Sequence, residues 1–167
     1  IEGKERFEAW SATHGVSVLH YHADNGIFAD NKFRKAVTEG RQTLSFCGVN
    51  AHFQNGMAER RIRELQGTAR TMLIHANRRW TDVVDAHLWP YAIRYASDMF
   101  NNSPMNKHSG QSPNERFSGS KVSFNIRHAH TFGCPVYVLD NRLQQQKSIP
   151  KWEERSRVGV FLGYSPQ

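Results

Sequence analysis

Cysteine is nearly absent from this chain, with Cys47 and Cys134 the only two among 167 residues. They stand far apart and neither forms a CxxC pair, which excludes a disulfide framework and a zinc ribbon and fits a reducing compartment. No apolar run approaches the roughly twenty residues that cross a bilayer, and no signal-peptide pattern opens the chain, so neither membrane insertion nor secretion is expected. No Gly-rich phosphate loop or dinucleotide fingerprint occurs. Nine histidines are present, yet no pair has the i, i+4 spacing, backed by a carboxylate, of a helical metal site. There is no internal repeat and no initiator methionine; the chain is expected to be a fragment.

Acidic residues are also scarce. Fifteen Asp and Glu face twenty-two Lys and Arg, giving a net charge of +7 and a pI near 9.7. Such a balance favours an anionic partner, most economically nucleic acid. The excess is localised: residues 1–55 are neutral, 56–79 carry +4, 80–120 carry −1 and 121–167 carry +4. One segment in the middle and the C-terminal segment therefore hold all of it. The length suits one domain, or one domain with a small appendage.

What is present reads as alternating helices and strands. Residues 2–13 form an amphipathic helix broken at Gly15, and Val16–His22 a strand with His20 and His22 on one face and Leu19 and Tyr21 on the other. Asp24 falls just past its end, where open α/β sheets place their chemistry. Asn25-Gly26 turns the chain into a helix over Ile27–Glu39. Gly40 ends that helix, and Thr43–Phe46 is a second strand. After a polar loop over Gly48–Gly56 the clearest helix begins, with Ile62, Leu65, Ala69, Met72 and Leu73 as its apolar stripe. A further helix from Trp89-Pro90 to Asn102 is expected to bury Trp89. A short helix from Ser112-Pro113 to Phe117 and an irregular linker follow. Two strands, Val136–Leu139 and Arg157–Tyr164, form a small β module.

Chemistry concentrates between His20 and Glu59. Asp24 and Glu59, separated by 34 residues, are two hard carboxylates on two rigid elements beside a cluster of arginines. That combination points to a Mg²⁺ or Mn²⁺ site working on phosphates, with two ions in the intact site. A competing reading makes Glu59 simply a first-turn acid favoured by the helix dipole. The same dipole disfavours arginines there, so Arg60 and Arg63, with Arg70 further along, argue for an outside anion. Gln54 and Asn55 can hydrogen-bond a phosphate or a base, and the three arginines can follow a DNA backbone. One strand edge cannot complete a tetrahedral site from His20, His22 and Asp24, so His22 reads as a supporting histidine beside the site or a satisfied core histidine. Cys47 with His52 lacks a third orienting residue.

Five segments in series carry a resemblance: His22-Ala23-Asp24-Asn25-Gly26; His52-Phe53-Gln54-Asn55-Gly56-Met57-Ala58-Glu59-Arg60; Leu88-Trp89-Pro90; Phe132-Gly133-Cys134-Pro135-Val136-Tyr137; and Lys151-Trp152 through Arg155-Ser156-Arg157 to Leu162-Gly163-Tyr164-Ser165-Pro166. Together they resemble the integrase of copia-type LTR retrotransposons, in order across nearly the whole chain. The resemblance implies an α/β fold: the C-terminal part of an RNase H-like core over residues 1–118, a linker over 119–130 and an SH3-like β module over 131–167, the last incomplete. It implies an Asp-Asp-Glu catalytic triad, Asp24 matching the second Asp and Glu59 the Glu, with His22 and Asn25 supporting them. The first Asp has no counterpart among residues 1–23 and is expected upstream.

The implied reaction is polynucleotidyl transfer. A metal-activated water frees a 3′ hydroxyl, which then attacks target DNA. The implied partners are element cDNA ends, target DNA and further copies of the intact protein, in the nucleus or a virus-like particle. These 167 residues alone are expected to be inactive. Two alternatives stay open: a non-catalytic DNA-binding or assembly remnant of such an element, and an RNase H-like nuclease that cuts without joining.

Overall fold

The computed structural model describes residues 1–48, 56–105, 110–121 and 128–165. Its elements in chain order are α1 (Glu2–Thr13), β1 (His20–Ala23), α2 (Asn31–Glu39), β2 (Thr43–Phe46), α3 (Gly56–Arg79), α4 (Trp89–Asn102), α5 (Pro113–Ser118), β3 (Pro135–Leu139), α6 (Asn141–Gln144) and β4 (Ser156–Val160). They fall into two compact units, Ile1–Glu64 with Asn102–Ser123, and Leu65–Asn101 with Phe124–Gln167. Among the described residues no helix is long and apolar enough to cross a membrane.

In the first unit β1 and β2 pair in parallel, Tyr21 opposite Leu44 and Ala23 opposite Phe46, with α2 in the connection between them. The strand expected from Val16 begins only at His20. A strand extends only as far as it has a partner, and β2 is four residues long; upstream, Thr43 N–H still donates to Leu19 C=O at 3.0 Å. Side chains alternate across the pair. Tyr21, Ala23, Leu44 and Phe46 share one face, and α2 meets it: Phe33 lies edge-on to Tyr21 at 5.8 Å, and the Arg34 guanidinium sits 4.7 Å from the Phe46 ring centre. The helix expected over Ile27–Glu39 divides into a 3₁₀ turn, Ile27–Ala29, and α2 proper. Asp30 is the cause. Its carboxylate accepts from Lys32 N–H at 3.2 Å, and its extended backbone (ψ 137°) cannot lie inside a helix.

A polar latch ties α1 to the strands. Glu8 takes an ion pair from Lys4 at 2.9 Å, a hydrogen bond from the Tyr21 hydroxyl at 2.7 Å, and another from the Gln42 amide, which also donates to Val18 C=O at 2.9 Å. Desolvation raises the Glu8 pKa, but the bonds from Gln42, Lys4 and Tyr21 together outweigh it and hold the group below its ordinary value. At its far end α1 stacks Trp10 on Phe117 of α5, centroids 5.0 Å apart. A reciprocal capping box between buried Ser112 and Glu115 starts α5.

The second unit has the chain's main core. Ala69 and Ala76 of α3 and Ala92, Tyr95 and Ala96 of α4 are buried with Val84 and Phe132. Small alanines of both helices share this cluster with the two large aromatics, which supply most of its bulk. Trp89, expected in this core, is instead 57% exposed. It is the first residue of α4, and Ala92 and Ala96 take the inward stripe. In α3 the same pattern buries Ala69 and packs Leu65, Met72 and Leu73, while Ile62 stays 55% exposed.

β3 and β4 form an antiparallel hairpin, Tyr137 opposite Val158, and β4 ends at Val160 rather than Tyr164. The hairpin joins the core through Phe132-Gly133-Cys134. Gly133 N–H donates to Phe161 C=O at 2.8 Å, and Phe161 N–H to Cys134 C=O at 2.9 Å. Gly133 has φ +78°, and a Cβ there would lie 2.3 Å from the Cβ of Ala76. The neighbouring Tyr95 hydroxyl donates to His130 C=O; burial, then the adjacent Tyr164, push its pKa up to about 12.

Two outcomes are expected. Gly133→Ala combines an unfavourable left-handed backbone with a clash against α3, and costs about 3 kcal/mol in equilibrium urea unfolding; a loss below about 0.5 kcal/mol is the contrary result. Glu8→Gln tests the latch through pH. A carboxyl whose folded pKa lies below its unfolded one stabilises the fold above the carboxylate range and loses that contribution as pH falls through it. The deficit of Glu8→Gln in denaturant unfolding is therefore expected to be large at pH 7 and to shrink by pH 3.

Candidate active site

Asp24 stands immediately past the C-terminal end of β1, half-buried. One of its oxygens, Oδ1, accepts the Gly26 N–H at 3.1 Å. A Cβ on Gly26 would approach that oxygen to 3.2 Å, so glycine there leaves the carboxylate room. Asn25 fixes the same turn by donating its amide to Cys47 C=O at 2.8 Å, bridging the ends of β1 and β2. The parallel register continues one step further, Cys47 N–H donating to Ala23 C=O at 3.0 Å. The site's first carboxylate is therefore held by the end of a strand pair rather than by a free loop.

The face of the pair opposite α2 has a polar row that extends to Asp24. His20 meets Thr43 Oγ1 at 2.6 Å through Nδ1 and Ser45 Oγ at 2.8 Å through Nε2. His22 meets the same Ser45 Oγ at 2.8 Å through Nδ1 and Cys47 Sγ at 3.5 Å through Nε2. The chain of contacts orients both imidazoles. His22 thus stands in this row between Ser45 and Cys47. Thr43, Ser45 and Cys47 were missed as its partners. The signal was available: alternation sends 43, 45 and 47 to one face just as it sends 20 and 22, but only the register aligns the two sets.

Glu59 is exposed in the first turn of α3, in the same unit as Asp24. No lysine or arginine among the described residues pairs with it. Gln54 and Asn55 lie outside the described residues. Arg60 bonds Glu64 at 2.9 Å, and Arg61 reaches the same carboxylate at 2.7 Å. The Arg60 hydrogen bond is the leading cause that keeps the Glu64 pKa low. Glu64 thus supplies a carboxylate from within the helix, and the position of Arg60 does not by itself require an outside anion. Among the described residues neither Arg63 nor Arg70 has an ion pair; both are exposed, and Arg70 borders a groove on the second unit.

Carboxylate oxygens are suitable donors for a hard divalent cation. Among the described residues, however, no three His, Cys, Asp or Glu side chains come together in a metal-holding group. Asp24 and Glu59 are at most a part of such a ligand set.

No family model matches the chain. It is similar to the retrovirus-related Pol polyprotein from transposon RE1 of Arabidopsis thaliana, 31% identical over 111 residues that cover 66% of the chain and 7% of that polyprotein. It is also similar to the retrovirus-related Pol polyprotein from transposon RE2 of the same plant, 30% identical over 147 residues, 83% of the chain and 9% of the polyprotein. The chain thus spans less than a tenth of the length of either relative. These similarities support an origin in a retrotransposon polyprotein.

Asn25→Ala is expected to cost about 1 kcal/mol in chemical unfolding by removing the bond that joins the two strand ends. Asn25→Asp, which replaces the donor amide with a carboxylate facing a carbonyl, should cost at least as much. Unchanged stability in both variants would show that the bridge does not hold the Asp24 turn.

Proposed function

We propose that the chain is part of a copia-type retrotransposon integrase, carrying the second and third acidic residues of its catalytic centre. The intact protein joins element cDNA ends to target DNA by polynucleotidyl transfer. The observation that carries this reading is the position of Asp24: half-buried at the end of a parallel strand pair, one oxygen held by Gly26 N–H. The five ordered motifs and the similarity to Pol polyproteins support it.

In this reading the fold is the C-terminal part of an RNase H-like core followed by a small SH3-like module. The parallel β1–α2–β2 unit and the β3–β4 hairpin are compatible with that. Asp24 and Glu59 contribute carboxylate oxygens to Mg²⁺ or Mn²⁺, and the remaining donors come from elsewhere in the polyprotein. The metal supplies the charge neutralisation that phosphoryl transfer needs. His22 and Asn25 keep Asp24 in place. Arg63, with Gln54, Asn55, Arg60 and Arg70, holds DNA through its phosphates. The working form is a homo-oligomer acting on DNA in the nucleus or in a virus-like particle.

The test is a strand-transfer assay on labelled duplex DNA with an integrase that includes the sequence upstream of Ile1. Glu59→Gln is expected to lower joining at least about 100-fold, because it removes a metal donor. Asp30→Asn, which changes only the exposed cap of α2, should leave joining near the parent rate. Joining by Glu59→Gln within about twofold of the parent would refute the metal assignment. Cutting without joining by the parent would favour the nuclease reading.

A further inference from the structure

The second unit carries an open groove of about 910 Å³ between one side of α3 and the start of α4, and of its lining residues only Arg70 has a role proposed above. Its apolar lining includes Leu73, Ile74, Trp89 and Ile93. Two of these are unusually bare for large apolar side chains, Trp89 at 57% and Ile74 at 45% exposure. Gln66, Arg70, Ile74 and Arg78 follow one another at helical i+4 spacing, so the α3 wall is a single line of side chains.

The walls differ in charge. Arg70 and Arg78 border the groove on the α3 side, both exposed, with no carboxylate in ion-pairing range among the described residues. Arg78 sits in the last turn of α3, where the dipole already favours a cation, but Arg70 lies mid-helix and has no such reason. The other wall carries Asp85, whose carboxylate accepts His87 N–H at 2.8 Å and contacts the His87 ring at 3.2 Å. That backbone bond, first among the causes, holds the Asp85 pKa below its ordinary value.

We infer that this groove docks an amphipathic helix of a partner protein, one with an apolar stripe and acidic residues on a single flank. From Gln66 to Arg78 the α3 wall runs about 18 Å, the length of roughly three helical turns. An apolar stripe at i, i+3/i+4, i+7 meets that apolar lining, as helix-in-groove recognition requires. Carboxylates on one flank meet Arg70 and Arg78, and the opposite flank is neutral or basic where it passes Asp85. A nucleic acid fits less well, since its phosphates would run past Asp85 and its polar edges would lie on aliphatic side chains. The inference goes beyond integrase chemistry and shares only Arg70 with the DNA contacts proposed above.

The experiment uses the 167-residue chain and a synthetic sixteen-residue helical probe with leucines on the stripe, glutamates on one flank and glutamines on the other. Binding is read by fluorescence anisotropy of the labelled peptide. Saturable binding is expected, weakened at least about tenfold by combining Arg70→Glu with Arg78→Glu and restored by a probe carrying lysines in place of its glutamates. Ile74→Asp, at an exposed position, should abolish binding with an unchanged circular dichroism spectrum. No binding by the parent chain overturns the proposal, as does binding indifferent to the arginine reversals. So does displacement of the probe by a single-stranded oligonucleotide, or a concentration-dependent dimer in sedimentation that Ile74→Asp dissolves. The first of these latter results assigns the groove to nucleic acid and the second to another copy of this chain.

Discussion

The parallel pairing of β1 with β2 is the constraint on which the candidate site depends. Four residue pairs from His20–Thr43 to Ala23–Phe46 set the register. A parallel pair cannot be joined by a tight turn, so its connection must cross over, and α2 does so. Once the register is set, alternation determines the rest. Tyr21 and Phe46 face α2, His20 and His22 meet the hydroxyls of β2, and Asp24 emerges at the strand end beside Asn25 and Cys47. Slipping the pairing by one residue would turn the imidazoles toward α2 and Tyr21 toward water.

So short a pair gains little from its own hydrogen bonds, and it is supported from outside. Glu8 is central to that support, because one carboxylate collects an ammonium, a phenol and an amide from three elements of the first unit. Partnered this fully, a half-buried acid offsets its desolvation. The second unit solves its own problem with bulk instead of charge. Alanines of α3 and α4 share a buried cluster with Tyr95 and Phe132, and Gly133 lets the hairpin backbone come against Ala76. The two units thus rest on different interactions.

Much of this was legible in the residues. The limits of α1, β2 and α4, the start of α3 and the capping of α5 follow from apolar periodicity, glycine and proline punctuation and cap chemistry, all of which act within a few residues. The errors have a common cause. Val16–Leu19 has strand composition, but β2 is too short to pair with all of it. Ile27–Glu39 has helical periodicity, but Asp30 caps a new start inside it. Trp89 is the largest apolar side chain of its helix, yet it stands at the helix start and the inward stripe goes to Ala92, Tyr95 and Ala96.

The sequence alone determined the element types, the localised positive charge and the two carboxylates with their order, since these are properties of local composition and spacing. It determined the motif series that resembles copia-type integrases as well. Only the tertiary structure decided which side chains meet across distance: Ser45 between two histidines, Glu8 under Tyr21 and Gln42, Gly133 against Ala76, and Trp89 bare beside Arg70 and Arg78. Each such meeting joins residues many positions apart. Their proximity depends on strand register and on how closely helices approach, and neither is written in any one stretch of the chain.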